Sequence, residues 1–196
     1  MRIDHVLYAV TDLDVAAARF EEDLELESIH GGEHGTWGTA NRIVPFGPDY
    51  LELIGVVDRA AAEDSDLGRT VLDTADGLLA WVVATDDLDE VAARLGLEIT
   101  RGSRARPDGV RLSWRMAGLK QAMVSAGSLP FFIQWEGAAE LHPGGDQAAP
   151  PGIRWVEVAT GEARLREWLG GAELPVRFAA EGRGITAAGI GGITLV

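Results

Sequence analysis

The chain has 196 residues, 46% hydrophobic and 24% charged, enough apolar material for a sizeable core beneath an ordinary surface. A net charge of −14 and a sequence pI near 4.6 set it against phosphate backbones, so nucleic acid is not an expected partner. The absence of cysteine excludes disulfides, thiolate nucleophiles and cysteine-bound zinc, and no apolar run is long enough to span a membrane. The opening stretch MRIDHVLYAV enters a strand pattern without the basic region and apolar run of a signal peptide, so a cytoplasmic protein is expected.

Three segments share one plan: Arg2–Phe20, Leu78–Leu95 and Ile153–Leu169. Each opens with β-prone residues, passes a Thr or Asp cluster able to cap a helix, and continues as an Ala/Leu/Arg/Glu-rich helical run. In the first, Thr11 or Asp12 is the expected cap, with Val15, Ala16 and Phe20 on the buried stripe. In the second, Asp86 or Asp87 caps, and Leu88, Val91, Ala92 and Leu95 recur at helical spacing. Strands are expected at Leu26–Ile29, Gly38–Phe46 and Tyr50–Val57, the last two joined through Phe46-Gly-Pro-Asp49. A second set is expected at Leu97–Thr100, Val110–Met116 and Phe131–Trp135, with a turn at Arg106–Gly109. A third, Gly-rich set follows at Val176–Ala179, Ile185–Ala188 and Ile193–Val196. Of the two connectors, Asp58–Asp76 reads as a short linking helix ending near Gly77, and Gly137–Gly152 as an irregular loop. The expected fold is α+β, a single body over residues 1–196. It holds β-α-β-β-β modules at 2–57 and 78–137 and a reduced third at 153–196, forming a curved mixed sheet around a cleft.

The segments Ile3–Asp14, Gly38–Ile43, Tyr50–Ile54 and Leu129–Trp135 resemble the opening strand and cap, the first closing hairpin and the second closing strand of the vicinal-oxygen-chelate superfamily, in its glyoxalase-like branch. That superfamily includes glyoxalase I, extradiol dioxygenases and resistance proteins. The resemblance implies a small-molecule cleft and, from module pairing within or between chains, a homodimer as one arrangement. It does not imply one reaction.

Strand alternation places His5 on a face with Ile3, Leu7 and Ala9, and Glu52 with Tyr50, Ile54 and Val56. Either side chain needs a partner inside an apolar strand. The resemblance puts both on the cleft side, as the first two metal-ligand positions of the superfamily. Superposing the modules sets Ala80 opposite His5 and Gln134 opposite Glu52. Alanine binds no metal and an amide binds one weakly, so a divalent ion held by His5 and Glu52 stands beside a metal-free reading in which the two bond each other or a ligand. The cofactor is left unknown. His34, in Gly31-Gly-Glu-His-Gly35, could swing over the cleft mouth from a flexible loop, and His142 could approach from the second connector. Asn41 interrupts a β-prone run, as a bulge or as a polar group aimed at a ligand. Arg111, Ser113 and Arg115 share one face of their strand, with Leu112 and Trp114 on the other; Arg115 suits an anionic ligand group, and Trp37 and Trp114 suit the wall of an apolar pocket.

Nucleophile-elbow, phosphate-loop and dinucleotide motifs are missing from the sequence. Two functions are therefore expected. One is a lyase- or isomerase-type enzyme with Glu52 as general base, His5 orienting the substrate, and Gln134 or Asn41 steadying an enolate-like oxygen. The other is a protein that binds or sequesters a small molecule without chemistry.

Overall fold

The computed structural model describes residues 1–74, 76–106 and 108–196. Strand β1 (Arg2–Ala9) leads into helix α1 (Leu13–Leu24), then β2 (Ile29–His34), β3 (Thr39–Pro45) and β4 (Tyr50–Val56). Asp12 caps α1 by accepting from the backbone N–H groups of Asp14 and Val15, both at 3.0 Å. That cap fixes the phase of the helix so that Ala16, Ala17 and Phe20 are buried, while Val15, expected on the inner stripe, lies on the solvent side. The β3–β4 hairpin closes as expected, Phe46 N–H donating to Asp49 O at 3.0 Å with Gly47 at φ +99°.

The second unit repeats the plan: β5 (Gly77–Ala84), α4 (Leu88–Leu95) capped by Asp87, β6 (Ile99–Ala105), β7 (Arg111–Ala117) and β8 (Phe131–Glu136). The connector expected to be one helix is two, α2 (Arg59–Glu63) and α3 (Asp66–Asp73), because Ser65 starts a new cap on Gly68 N–H. A further helix, α5 (Leu119–Val124), follows β7. The turn expected at Arg106–Gly109 shows Gly109 N–H donating to Arg106 O at 2.9 Å; Pro107 within it, like Ala75 in the first connector, lies outside the described residues.

Eight strands form one mixed sheet in the order β2-β3-β4-β1-β5-β8-β7-β6. Within each unit the first strand runs parallel to the last, and β1 meets β5 antiparallel at the centre. The sheet curls until its outer strands approach: Arg104 on β6 donates to Gly31 O on β2. This is the curved mixed sheet expected from the repeats. Its concave face carries Leu7, Ala9, Ile54, Val82, Leu112, Trp114, Phe131 and Ile133, and α3 and α5 pack against one end.

The last unit, β9 (Ile153–Ala159), α6 (Glu162–Trp168), β10 (Val176–Phe178), β11 (Gly184–Ile190) and β12 (Ile193–Leu195), keeps the element order but not the pairing. Its sheet runs β10-β9-β11-β12, with β10 parallel beside β9. A three-residue strand returning from a seven-residue helix settles next to the strand it left instead of reaching a far edge. This small sheet covers the convex face of the large one, where Val156, Val158, Ile185 and Ile190 join Val6, Tyr8, Trp81 and Val83 in one apolar cluster with α1 and α4.

Candidate functional site

The register of β1 against β5 shifts at two places. Asp4 is an extra residue between the pairs Ile3–Val83 and His5–Val82, and Leu79 is an extra residue between Leu7–Ala80 and Tyr8–Leu78. These bulges stand in the same relation to each other as the helix caps Asp12 and Asp87, so the two halves are superposable and His5 does correspond to Ala80. The bulge has a local consequence. Simple alternation would send Asp4 away from His5; instead the two side chains lie together, and Ile3 moves into the convex cluster, contrary to the face expected from the sequence.

Asp4 is fully buried and is the hub of the site. His5 Nδ1 donates to its Oδ1 at 2.7 Å and His142 Nε2 to its Oδ2 at 3.0 Å, while Trp135 Nε1 reaches both oxygens at 3.3 Å. Burial alone would raise this carboxyl, but the hydrogen bonds from His142 and His5 outweigh it and hold Asp4 well below the usual carboxylate range. The tautomer of His142 follows from its other side: Nδ1 accepts from Gly144 N–H at 3.1 Å, so Nε2 carries the proton.

With Nδ1 committed to Asp4, His5 presents Nε2 to Glu52 Oε2 at 3.4 Å. The Tyr50 ring stacks on the imidazole at 4.4 Å and 13°, fixing its plane. Asn41 Nδ2 donates to Glu52 Oε1 at 2.6 Å, which is the only amide orientation a carboxylate accepts. Asn41 Oδ1 then faces away, buried and without a partner among the described residues, packed where any side chain at Gly31 would overlap it. A chain of polar groups thus runs Asp4–His5–Glu52–Asn41 across the concave face.

The strand directions set this row midway along the curled sheet. At one end lie Trp135 and His142, lining an opening of about 390 Å³. At the other lies an opening of about 590 Å³ whose walls include His34, Trp37 and Trp114. His34 is not on a flexible loop as expected. Gly31–His34 is the end of β2, and His34 is buried against Trp37 at 5.2 Å, its Nδ1 3.1 Å from Thr39 Oγ1. Burial holds its imidazole below the ordinary value, so it is neutral at pH 7.

Arg115 does not reach the His5–Glu52 row, and Gln134 reaches only the rim of the opening lined by Trp135 and His142. Phe131, Ile133 and Trp135 are the concave residues of β8, which turns Gln134 to the helix-covered face; there it donates to Asp86 O at 2.7 Å. Arg115 pairs with Asp89 of α4 at 2.6 Å on the same outer face. The alternation read in β7 is right, but it is the Trp114 face that turns inward. By pairing, Leu7 sits beside Glu52 and its counterpart Val82 beside Phe131, so Phe131, not Gln134, takes the place opposite Glu52.

The second half of the molecule therefore offers Ala80 and Phe131 where the first offers His5 and Glu52. Two donors from one half do not make the ligand set of a divalent ion, and among the described residues no suitable group of three His, Cys, Asp or Glu converges. The residues present do not fit the superfamily's metal. Sequence reading missed Asp4, Tyr50 and the buried Arg104 on the inner face of β6. The one available signal was a carboxylate directly before His5 in an apolar strand.

A model of the glyoxalase-like domain matches residues 3–173. A search among curated proteins found no match. Among solved structures, a hypothetical protein from Staphylococcus aureus is similar with a TM-score of 0.69 and 16% identity, over 93% of this chain and 88% of that one. Methylmalonyl-CoA epimerase from Mycobacterium tuberculosis is similar with a TM-score of 0.50 and 19% identity, over 71% of this chain and 90% of its own. A variant of the Streptomyces coelicolor methylmalonyl-CoA epimerase, in complex with 2-nitronate-propionyl-CoA, gives 0.50 and 20%, over 71% and 99%. At such identities the likeness carries the fold alone.

Proposed function

The chain belongs to the glyoxalase-like domain family of the vicinal-oxygen-chelate superfamily, and we propose that it is an isomerase- or lyase-type enzyme moving a proton at a carbon beside a carbonyl. The observation that supports this most is the His5–Glu52 pair at 3.4 Å, with each member held from behind by a second group, Asp4 or Asn41. A base that must take a proton and return it needs a fixed direction and a partner for the proton, and this row supplies both. Glu52 is the general base. His5 holds or relays the proton at Nε2, and Asp4 keeps its ring in the required tautomer. Asn41, donating to Glu52 Oε1, fixes the direction of the carboxylate. The chemistry is metal-free, because the donor set does not fit a divalent ion.

Sequestration without chemistry is the second reading, favoured by one observation: His5 and Glu52 are both buried and already face each other at 3.4 Å. The two readings separate in deuterated water. Small carbonyl compounds that raise the melting temperature are incubated with the protein, and loss of the hydrogen beside the carbonyl is followed by NMR. Exchange supports the enzyme; ligands that stabilise the fold but never exchange support sequestration.

A further inference from the structure

A groove of about 800 Å³ outside the curled sheet runs between α5, α6 and the turn into β11. Lys120, Arg164 and Arg183 line it against a single carboxylate, Glu167, in a chain whose net charge is −14. None of these makes an ion pair, a side-chain hydrogen bond or a stacking contact among the described residues; elsewhere only Arg154 shares that status. The other arginines have found acids, carbonyl or hydroxyl oxygens, or an aromatic face, so cations left free and gathered on one groove are not a random sample of the surface. Leu129 and Trp168 give the same groove an apolar wall.

We propose that this groove binds a small organic phosphate, its doubly charged oxyanion held by Lys120, Arg164 and Arg183 and its apolar body lying on Trp168. Cations from three separate elements suit a dianion better than a single carboxylate, and guanidinium groups bind phosphate oxygens in pairs. Lys120 also lines the opening that holds His34 and Trp114, which sets the bound phosphate beside the mouth of the curled sheet. The proposal stands independently of the proton-transfer reading.

Phenyl phosphate is the probe and benzoate, with the same ring and one charge, the control. Calorimetry should show saturable binding of phenyl phosphate that weakens as salt rises, with benzoate at least about tenfold weaker. Lys120 is the chain's only lysine, so acetylation read by mass spectrometry reports its amine directly, and phenyl phosphate should protect it. The double variant Arg164→Ala/Arg183→Ala should lose about tenfold or more in affinity, along with the protection, while Glu52→Gln keeps both. Absent binding, equal binding of benzoate, or undiminished affinity in the double variant would each overturn the site.

Discussion

Asp4 is the residue on which the most hydrogen bonds of the site converge, and replacing it isolates its role. Asp4→Asn keeps the volume but gives His5, His142 and Trp135 a neutral partner that carries donors of its own. A loss of about 2–4 kcal/mol in unfolding free energy is expected by urea denaturation, the range for breaking a buried charged network. The pH dependence has a definite sign. Because the folded state holds this carboxyl well below its ordinary 3.8, its contribution is fully present above that value and drains away as the pH falls towards the depressed folded one. Unfolding measured from neutral to acid pH should steepen downwards below about pH 4 in the wild type and flatten in Asp4→Asn. Asp49 runs the other way: burial, partly offset by the N–H groups of Ile153 and Gly152, raises its carboxyl, so its ionisation on rising pH costs stability. Histidine NMR should find His142 protonated at Nε2 alone; a proton at Nδ1 would contradict the Gly144 hydrogen bond. His5 and Glu52 were legible as anomalies in apolar strands, and Asn41 as one in a β-prone run. Asp4 was not, since alternation assigns neighbours to opposite faces and only the bulge brings these two together.

Among the elements, β7 shows how far a period of two can be read. Alternation separates Arg111, Ser113 and Arg115 from Leu112, Trp114 and Met116, but nothing in the strand says which set faces inward until the convex face acquires α4 with Asp89. The same limit applies to β8, where a three-residue slip in superposition set Gln134 in the place of Phe131. Gly31–His34 looked like a flexible loop because its glycines carry no pattern; they serve as bare backbone against the Asn41 amide and, at Gly32, against Ala105. Gly102 has the corresponding place on β6, paired with Trp114, where any side chain would overlap the indole. Gly102→Val should cost about 1–3 kcal/mol through overpacking and displace Trp114 from the mouth, seen as a change in tryptophan fluorescence. Unchanged stability and emission would mean that the indole does not rest there.

At the scale of the whole molecule, the repeat carried the order of elements in both halves, with Asp12 and Asp87 as the caps, one of the two candidates in each case. Strands β2 (Ile29–His34) and β6 (Ile99–Ala105) start two to three residues later than the strands expected at Leu26–Ile29 and Leu97–Thr100. The third unit was legible as an order of elements, not as a pairing, because a strand as short as β10 is placed by its connection more than by its own residues. Its sheet shares a continuous apolar cluster with the convex face, so we propose that residues 1–196 unfold as one cooperative body. Calorimetry should show a single transition, and two separated transitions would contradict that. No helix among the described residues is long and apolar enough to cross a membrane. In the proposed function Glu52, paired with His5, moves a proton without a metal. The direct measurement is hydrogen–deuterium exchange beside the carbonyl of a ligand that stabilises the fold, compared between wild type and Glu52→Gln after chelation. Exchange in the wild type, slower by about a hundredfold or more in Glu52→Gln, is the predicted result. Exchange that persists in Glu52→Gln, or that starts only when a divalent metal is supplied, would contradict it.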